Sequence, residues 1–351
     1  MRNALDLIRV YGIDGARARV ASPVERELID TAARFYDTEG TVGVTYSGFC
    51  VISLPHRRLP SNGMVWERKV PHHPCSLTIE PGSLTLNGHT HEFGVPYGAA
   101  GRLILLWLQT EALKTDSRIV RLGSSMYSWL RLMGTHAGGQ NYKAIREQAM
   151  RIAACRLQFV WTGKADGRSA VRFKKDTIVE EGMLFGDLQD EDPRQPRLWE
   201  DTVVLSRTFF EELKKHPVPI QLNAVQAIFR SSLAIDVYIW LAYRLRVLEG
   251  RTHVGWAALR DQFGPQYSRI RDFKEPFIKA MQMAMCVYEE AKVDCDEKGI
   301  ILYPSPAAVP ERRNRADDSA PNSTSRSTAR SRKEPRDDHR SRSDPQTTPP
   351  R

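Results

Sequence analysis

Apolar and polar positions along the chain repeat one order of elements twice. Apolar residues recur at helical spacing over 99–113, a short strand pattern follows at 118–121, and a second helix pattern covers 124–133. Past the breaker Gly138-Gly139 a longer helix is predicted from Tyr142, and RLQFVW and SAVRFK flank Ala165-Asp166-Gly167 as a hairpin. The same succession returns downstream. It comprises a helix over 232–248, a strand near Thr252, a helix over 256–263, a long helix from Tyr267, and a hairpin of AKVDC and GIILY around Asp296-Glu297-Lys298. Two anchors tie the copies together: Trp107-Leu108 matches Trp240-Leu241, and Tyr142-x-x-Ile145-Arg146 matches Tyr267-x-x-Ile270-Arg271. Helical periodicity explains the isoleucines but not the shared tyrosine and arginine, which points to an internal duplication.

Helix, strand, helix, helix and hairpin is the winged-helix order, in which the last helix enters the major groove and the hairpin touches backbone. The expected fold is therefore α+β, with two tandem winged-helix domains at 94–190 and 197–305. Ahead of them lies an N-terminal extension, 1–93. It holds a helix with Ser22 as cap, Pro23 at its first position and Glu25 at its third, running to about Tyr36. A β-rich stretch at 41–54 and short strands from Ser76, turning at Pro81-Gly82, complete it. From about Pro306 the sequence becomes Arg, Ser, Pro and Asp; it lacks the apolar surface to offset ordering entropy, so 306–351 reads as a disordered tail.

Composition sharpens this picture. A length of 351 residues suits two domains, and 51 Lys+Arg against 42 Asp+Glu, a net charge of +9, favours polyanionic partners. The 5 cysteines are odd in number and lack C-x-x-C spacing, which speaks against a zinc cage or a disulfide framework and for a reducing cytoplasm. No apolar run reaches membrane-spanning length, and the opening residues are too charged for a secretory signal. The expectation is a cytoplasmic protein with no membrane partner.

The two long helices carry the candidate chemistry. From Tyr142, Ile145, Ala149 and Ile152 make a core stripe, leaving Lys143, Arg146, Glu147 and Arg151 facing outward. From Tyr267, Ile270, Phe273, Phe277 and Met281 make the stripe, leaving Ser268, Arg269, Arg271, Asp272, Lys274, Glu275 and Lys279 on the other faces, with Pro276 interrupting the amide ladder. The expected DNA contacts are Lys143, Arg146, Arg151, Ser268, Arg269, Arg271, Lys274 and Lys279. Arginine can read guanine bidentately, whereas the carboxylates make the second face a mixed signal.

Catalytic alternatives are weaker. His89-Thr90-His91, with Tyr127 or Tyr142 as nucleophile, resembles a rolling-circle nicking site, but Thr90 stands where a bulky hydrophobe is usual. His72-His73-Pro74-Cys75 lacks a distant partner pair for zinc, and no phosphate-loop glycine motif occurs. The expectation is a protein that is not an enzyme and uses no cofactor and no metal. Trp107, Tyr127, Trp129, Tyr238, Trp240 and Tyr243 sit at core spacing and read as packing.

Several stretches resemble the plasmid-encoded RepA replication initiators of Gram-negative bacteria. They are GVPYGAAGRLILLWLQTEAL, GGQNYKAIREQAMRIAACRLQF, RLWEDTVVLSRTFFEELKKHPVPI, SLAIDVYIWLAYRLRVL and WAALRDQFGPQYSRIRDFKEPF, and the resemblance as a whole covers about 54–306. The resemblance implies a protein that binds iteron repeats in double-stranded origin DNA, helps to open the duplex, brings in host initiator and helicase proteins, and represses its own gene. A homodimer, a rolling-circle nickase and a plain transcriptional repressor remain open alternatives.

Overall fold

The helix start read at Ser22 is present in the computed structural model, which describes residues 4–38, 40–70, 75–86, 88–121, 139–165, 168–183 and 202–309. The Ser22 hydroxyl accepts from the Val24 amide at 3.3 Å, and helix α2 (Pro23–Tyr36) packs on α1 (Ala4–Arg17), whose path breaks at Gly12 with φ 68°. Strand β1 (Val42–Tyr46) leads into a short helix α3 (Ser47–Val51), within the stretch 41–54 that reads as β-rich. Gly48, Phe49, Cys50 and Val51 are all buried, and a run buried on every side has no period by which strand and helix can be told apart.

Strands β2 (Trp66–Lys69), β3 (Cys75–Glu80), β4 (Gly82–Leu86) and β5 (His89–Phe93) follow. Pro81-Gly82 does not close a hairpin between its neighbours. Strand β3 pairs with β2, while β4 turns away to pair with β5.

The first repeated unit contains α4 (Gly98–Lys114), β6 (Ile119–Arg121), α5 (Gly139–Ala154), β7 (Arg156–Ala165), β8 (Arg168–Thr177), β9 (Val179–Met183) and β10 (Thr202–Leu205). After α6 (Arg207–Lys215), β11 (Pro217–Gln221) and α7 (Leu222–Ala227) comes the second. It contains α8 (Ser232–Arg244), a 3-10 turn at Leu245–Val247, β12 (Thr252–Gly255), α9 (Trp256–Phe263), α10 (Ile270–Cys286), β13 (Val293–Cys295) and β14 (Gly299–Leu302). The mixture of helices and antiparallel sheets is the α+β class expected.

In the second unit the hairpin returns to its own first strand, in the order β12-β14-β13. The first unit corrects the sequence reading. Its long hairpin β7–β8 joins the sheet β2-β3-β7-β8, and the strands that return to β6 are β9 and β10, in the order β6-β10-β9. The hairpin equivalent to β13–β14 is thus β9–β10, and β7–β8 is an addition that the N-terminal strands cover. The expected helix at 124–133 with Tyr127 and Trp129, the turn Asp166-Gly167, His72-His73-Pro74 and the tail from 310 lie outside the described residues.

Helices α4 and α8 are buried on nearly all sides, with Trp107 and Trp240 at 7% and 6% exposure, as core helices apolar all round should be. Tyr238 is likewise buried, its hydroxyl accepting from the Gln221 amide at 2.9 Å. Residues 1–311 form one compact unit. The N-terminal residues are woven into it, because β1 pairs with β11 and β3 with β7. The chain stays anchored past 306: the Tyr288 hydroxyl donates to the Pro306 carbonyl at 2.5 Å, and Gln221 Nε2 donates to the Ala308 carbonyl at 2.7 Å. Among the described residues no helix is long and apolar enough to cross a membrane.

Candidate nucleic-acid interface

The turn from α9 into α10 is built on Gly264. A Cβ there would collide with the Phe273 ring, so glycine lets the two helices close on each other. Phe273 and Phe277 are fully buried and Met281 nearly so, the stripe read from the sequence. Helix α10 starts at Ile270, three residues after Tyr267, and runs through Pro276 without ending.

Arg269 precedes the first helical residue and Arg271 lies in the first turn, 61% and 73% exposed at their side chains. Both lean on one carboxylate: Arg269 Nε lies 2.7 Å from Asp272 Oδ2, and Arg271 Nε 3.4 Å from Oδ1. Asp272 also sits where the helix dipole favours a negative charge. The carboxylate that makes the sequence signal mixed is therefore occupied, holding two guanidinium groups at the helix start. Ser268 is exposed beside them. Lys274 is tethered, with Nζ 5.0 Å from the Trp256 ring centroid and donating to the Glu297 carbonyl at 3.3 Å. That contact links the helix to the β13–β14 turn, where Asp296 Oδ1 accepts from the Lys298 and Gly299 amides at 2.8 and 2.7 Å.

Two expected contacts have partners within the chain, and the second of them is buried rather than outward. Lys279 Nζ sits 2.7 Å from Glu27 of α2, so it fastens the N-terminal helices to the far half of α10. Arg151 does not face outward: its side chain is 3% exposed. Its guanidinium donates to the Val95 carbonyl at 3.2 Å, to Asn62 Oδ1 at 3.2 Å and to Glu147 Oε1 at 2.8 Å, and lies over the Tyr97 ring. The neighbouring Gln148 is buried as well and accepts from the Tyr97 amide at 2.7 Å. The segment before α4 covers this face of α5, which periodicity cannot anticipate. Ile145 and Ile152 are buried as expected, Lys143 is exposed and Arg146 half-buried.

Between the units lies a buried ion pair that sequence reasoning missed. Arg102 of α4 meets Asp236 of α8 at 2.6 and 2.7 Å through Nε and Nη2, and also donates to the carbonyls of Leu54, Pro55 and Gly98. His56 stands against the pair, with Nδ1 3.0 Å from the Ser232 hydroxyl and Nε2 donating to the Phe263 carbonyl at 3.1 Å. Burial, reinforced by Arg102, pushes the His56 pKa down to about 4, so the ring is neutral. A lone Arg five residues before Trp107 and a lone Asp four residues before Trp240, each within an apolar run, were the available signal.

His89 and His91 lie exposed on one face of β5. Among the described residues no group of His, Cys, Asp or Glu is arranged to hold a metal ion. Cys75 is buried, and burial pushes its thiol up to about 12.

Residues 95–257 match the family model of the plasmid encoded RepA protein. This span, a little under half of the chain, is similar to the RepA family. It opens three residues before α4 and ends two residues into α9, so the RepA span holds Arg102, Asp236 and Arg151 but not Arg269 or Arg271. Two solved structures are similar in fold to the chain. Crystals of selenomethionine derivatives of domains 2 and 3 of RctB give 12% identity and a TM-score of 0.46, over 74% of this chain and 95% of that one. A second structure of RctB domains 2–3 gives 13% and 0.44, over 73% and 95%. No curated protein matches the chain.

Proposed function

We propose that the chain is a plasmid replication initiator that binds double-stranded origin DNA through two winged-helix modules, 98–205 and 232–302, and acts by binding rather than catalysis. The observation that carries this reading is the second unit. Its helix, strand, helix, helix and hairpin close with β14 paired on β12, and Arg269 and Arg271 stand exposed where α10 begins. The first turns of such a helix meet base edges in the major groove, and the adjacent hairpin reaches the backbone. The match to the RepA family model over 95–257 supports the plasmid setting.

In this reading the protein binds iteron repeats, helps to open the duplex, brings in host initiator and helicase proteins, and represses its own gene. Two modules within one chain present no protein dyad, so direct repeats suit a bound monomer. A footprint on the DNA around its own gene tests the reading. Two groove contacts one helical turn apart protect about 20 base pairs. A site half that long means that a single module reads DNA, and nicking of supercoiled origin plasmid in Mg²⁺ would show a catalytic protein instead.

A further inference from the structure

The loop between α3 and β2 runs from one repeated unit to the other, and its pinning is uneven. At its start the Leu54 and Pro55 carbonyls accept from Arg102, and His56 is held by Ser232 at the start of α8 and by the Phe263 carbonyl at the end of α9. At its far end Asn62 Oδ1 accepts from Arg151 of α5. Between these anchors Arg57 and Arg58 are exposed. Arg58 Nη1 lies 3.9 Å from Glu147 on α5 and its Nη2 donates to Asn62 Oδ1 at 3.3 Å, whereas Arg57 has no ionic or hydrogen-bonding partner among the described residues.

The loop therefore starts beside the α9–α10 turn, which aims Arg269 and Arg271, and ends beside α5, which presents Lys143. We infer that Arg57 and Arg58 hold the sugar-phosphate backbone of the duplex stretch lying between the two groove-reading helices. This rests on the proposed function and adds to it a third contact, from outside either module. Two adjacent guanidinium groups on a loop anchored at both ends suit phosphate oxygens, whose recognition needs charge and position but no base pattern. Glu147 does not oppose this, since Arg151 and Arg58 already share its carboxylate.

The test uses the full chain and a duplex selected on it from a random-sequence pool. The affinity of the Arg57→Ala/Arg58→Ala variant is titrated against salt beside the wild type, with backbone cleavage footprinting. Each phosphate contact contributes about 0.9 to the slope of log affinity against log salt, so the double variant is expected to lose about two units. A fourfold rise in salt then weakens it roughly tenfold less than the wild type. Protection at the centre of the footprint should disappear while the two outer blocks and the selected base pattern stay. Arg57→Lys/Arg58→Lys should restore most of the slope, because lysine also binds phosphate. An unchanged slope and central protection, with folding intact by circular dichroism, overturns the inference and leaves the proposed function standing. A wild type that protects one block, or none, overturns the two-module reading and this inference with it.

Discussion

The two long helices, α5 and α10, are copies in their buried stripes and differ in what they show to solvent. In α10 the outward arginines stand at the helix start, held by Asp272 and open to a ligand. In α5 an arginine one turn past the match, Arg151, is buried and spent on Val95, Asn62 and Glu147, leaving Lys143 and a half-buried Arg146. Both stripes need only apolar residues three or four positions apart, but the fate of the other faces depends on what packs beside them. The residues before α4 cover α5, whereas α10 meets the N-terminal helix α2 through Lys279 and Glu27 and leaves Arg269 and Arg271 exposed. If α5 and α10 are copies that read DNA, as proposed, one has kept its core while giving up outward surface for attachment to the rest of the chain.

The largest effect expected is on the joint that both units share. Arg102→Ala leaves Asp236 buried and unpaired, and should lower the unfolding free energy by about 3–5 kcal/mol in urea titration. Arg102→Met/Asp236→Leu should recover most of that loss, since two apolar side chains of similar volume remove both desolvation costs. A double variant as unstable as the single one would mean that the carbonyls of Leu54 and Pro55, not Asp236, make the arginine necessary.

Arg151→Ala sharpens the contrast between the helices. It should cost about 1.5–3 kcal/mol of stability, because its charged hydrogen bonds are buried. Loss of DNA affinity with an unchanged melting transition would return Arg151 to the outward face.

His56 gives a pH-dependent reading of the same joint. Its folded pKa, about 4, lies below the ordinary value of 6.5, so between these values the unfolded chain binds more protons. This contribution is complete above the upper value and is lost as pH falls towards the lower, on the order of 2 kcal/mol by pH 5. The neighbours are Arg102, Asp236, Ser232 and the Phe263 carbonyl, and His56→Gln should flatten the dependence. A wild-type profile already flat from pH 7 to 5 would rule out a neutral buried ring.

The smallest expected effect is on binding alone. Arg271→Ala should cost about 1–3 kcal/mol on the cognate site and relax choice at one base pair, with stability unchanged. If Arg271 holds phosphate instead, affinity falls on all sequences and the salt slope drops by about one unit. Arg146→Ala is the matching measurement in the first unit; a loss as large and as base-specific would erase the difference between the helices.

Much of this architecture follows from local sequence. The period of apolar residues sets α4, α8, α9 and the stripes of α5 and α10, and Ser22-Pro23 starts α2, because helices answer to neighbours three and four residues away. The Tyr-x-x-Ile-Arg repeat marks the duplication and brings Arg269 and Arg271 to a helix start. What tertiary structure alone decided is which elements meet across long separations. Strand β3 takes β7–β8 away from the first unit's small sheet, β9–β10 fills the vacated place, and the residues ahead of α4 turn Arg151 inward. Pairing and burial of this kind are chosen by the fit of whole surfaces, and an arginine five positions into one apolar helix gains its meaning only when an aspartate from another, 134 residues away, closes on it.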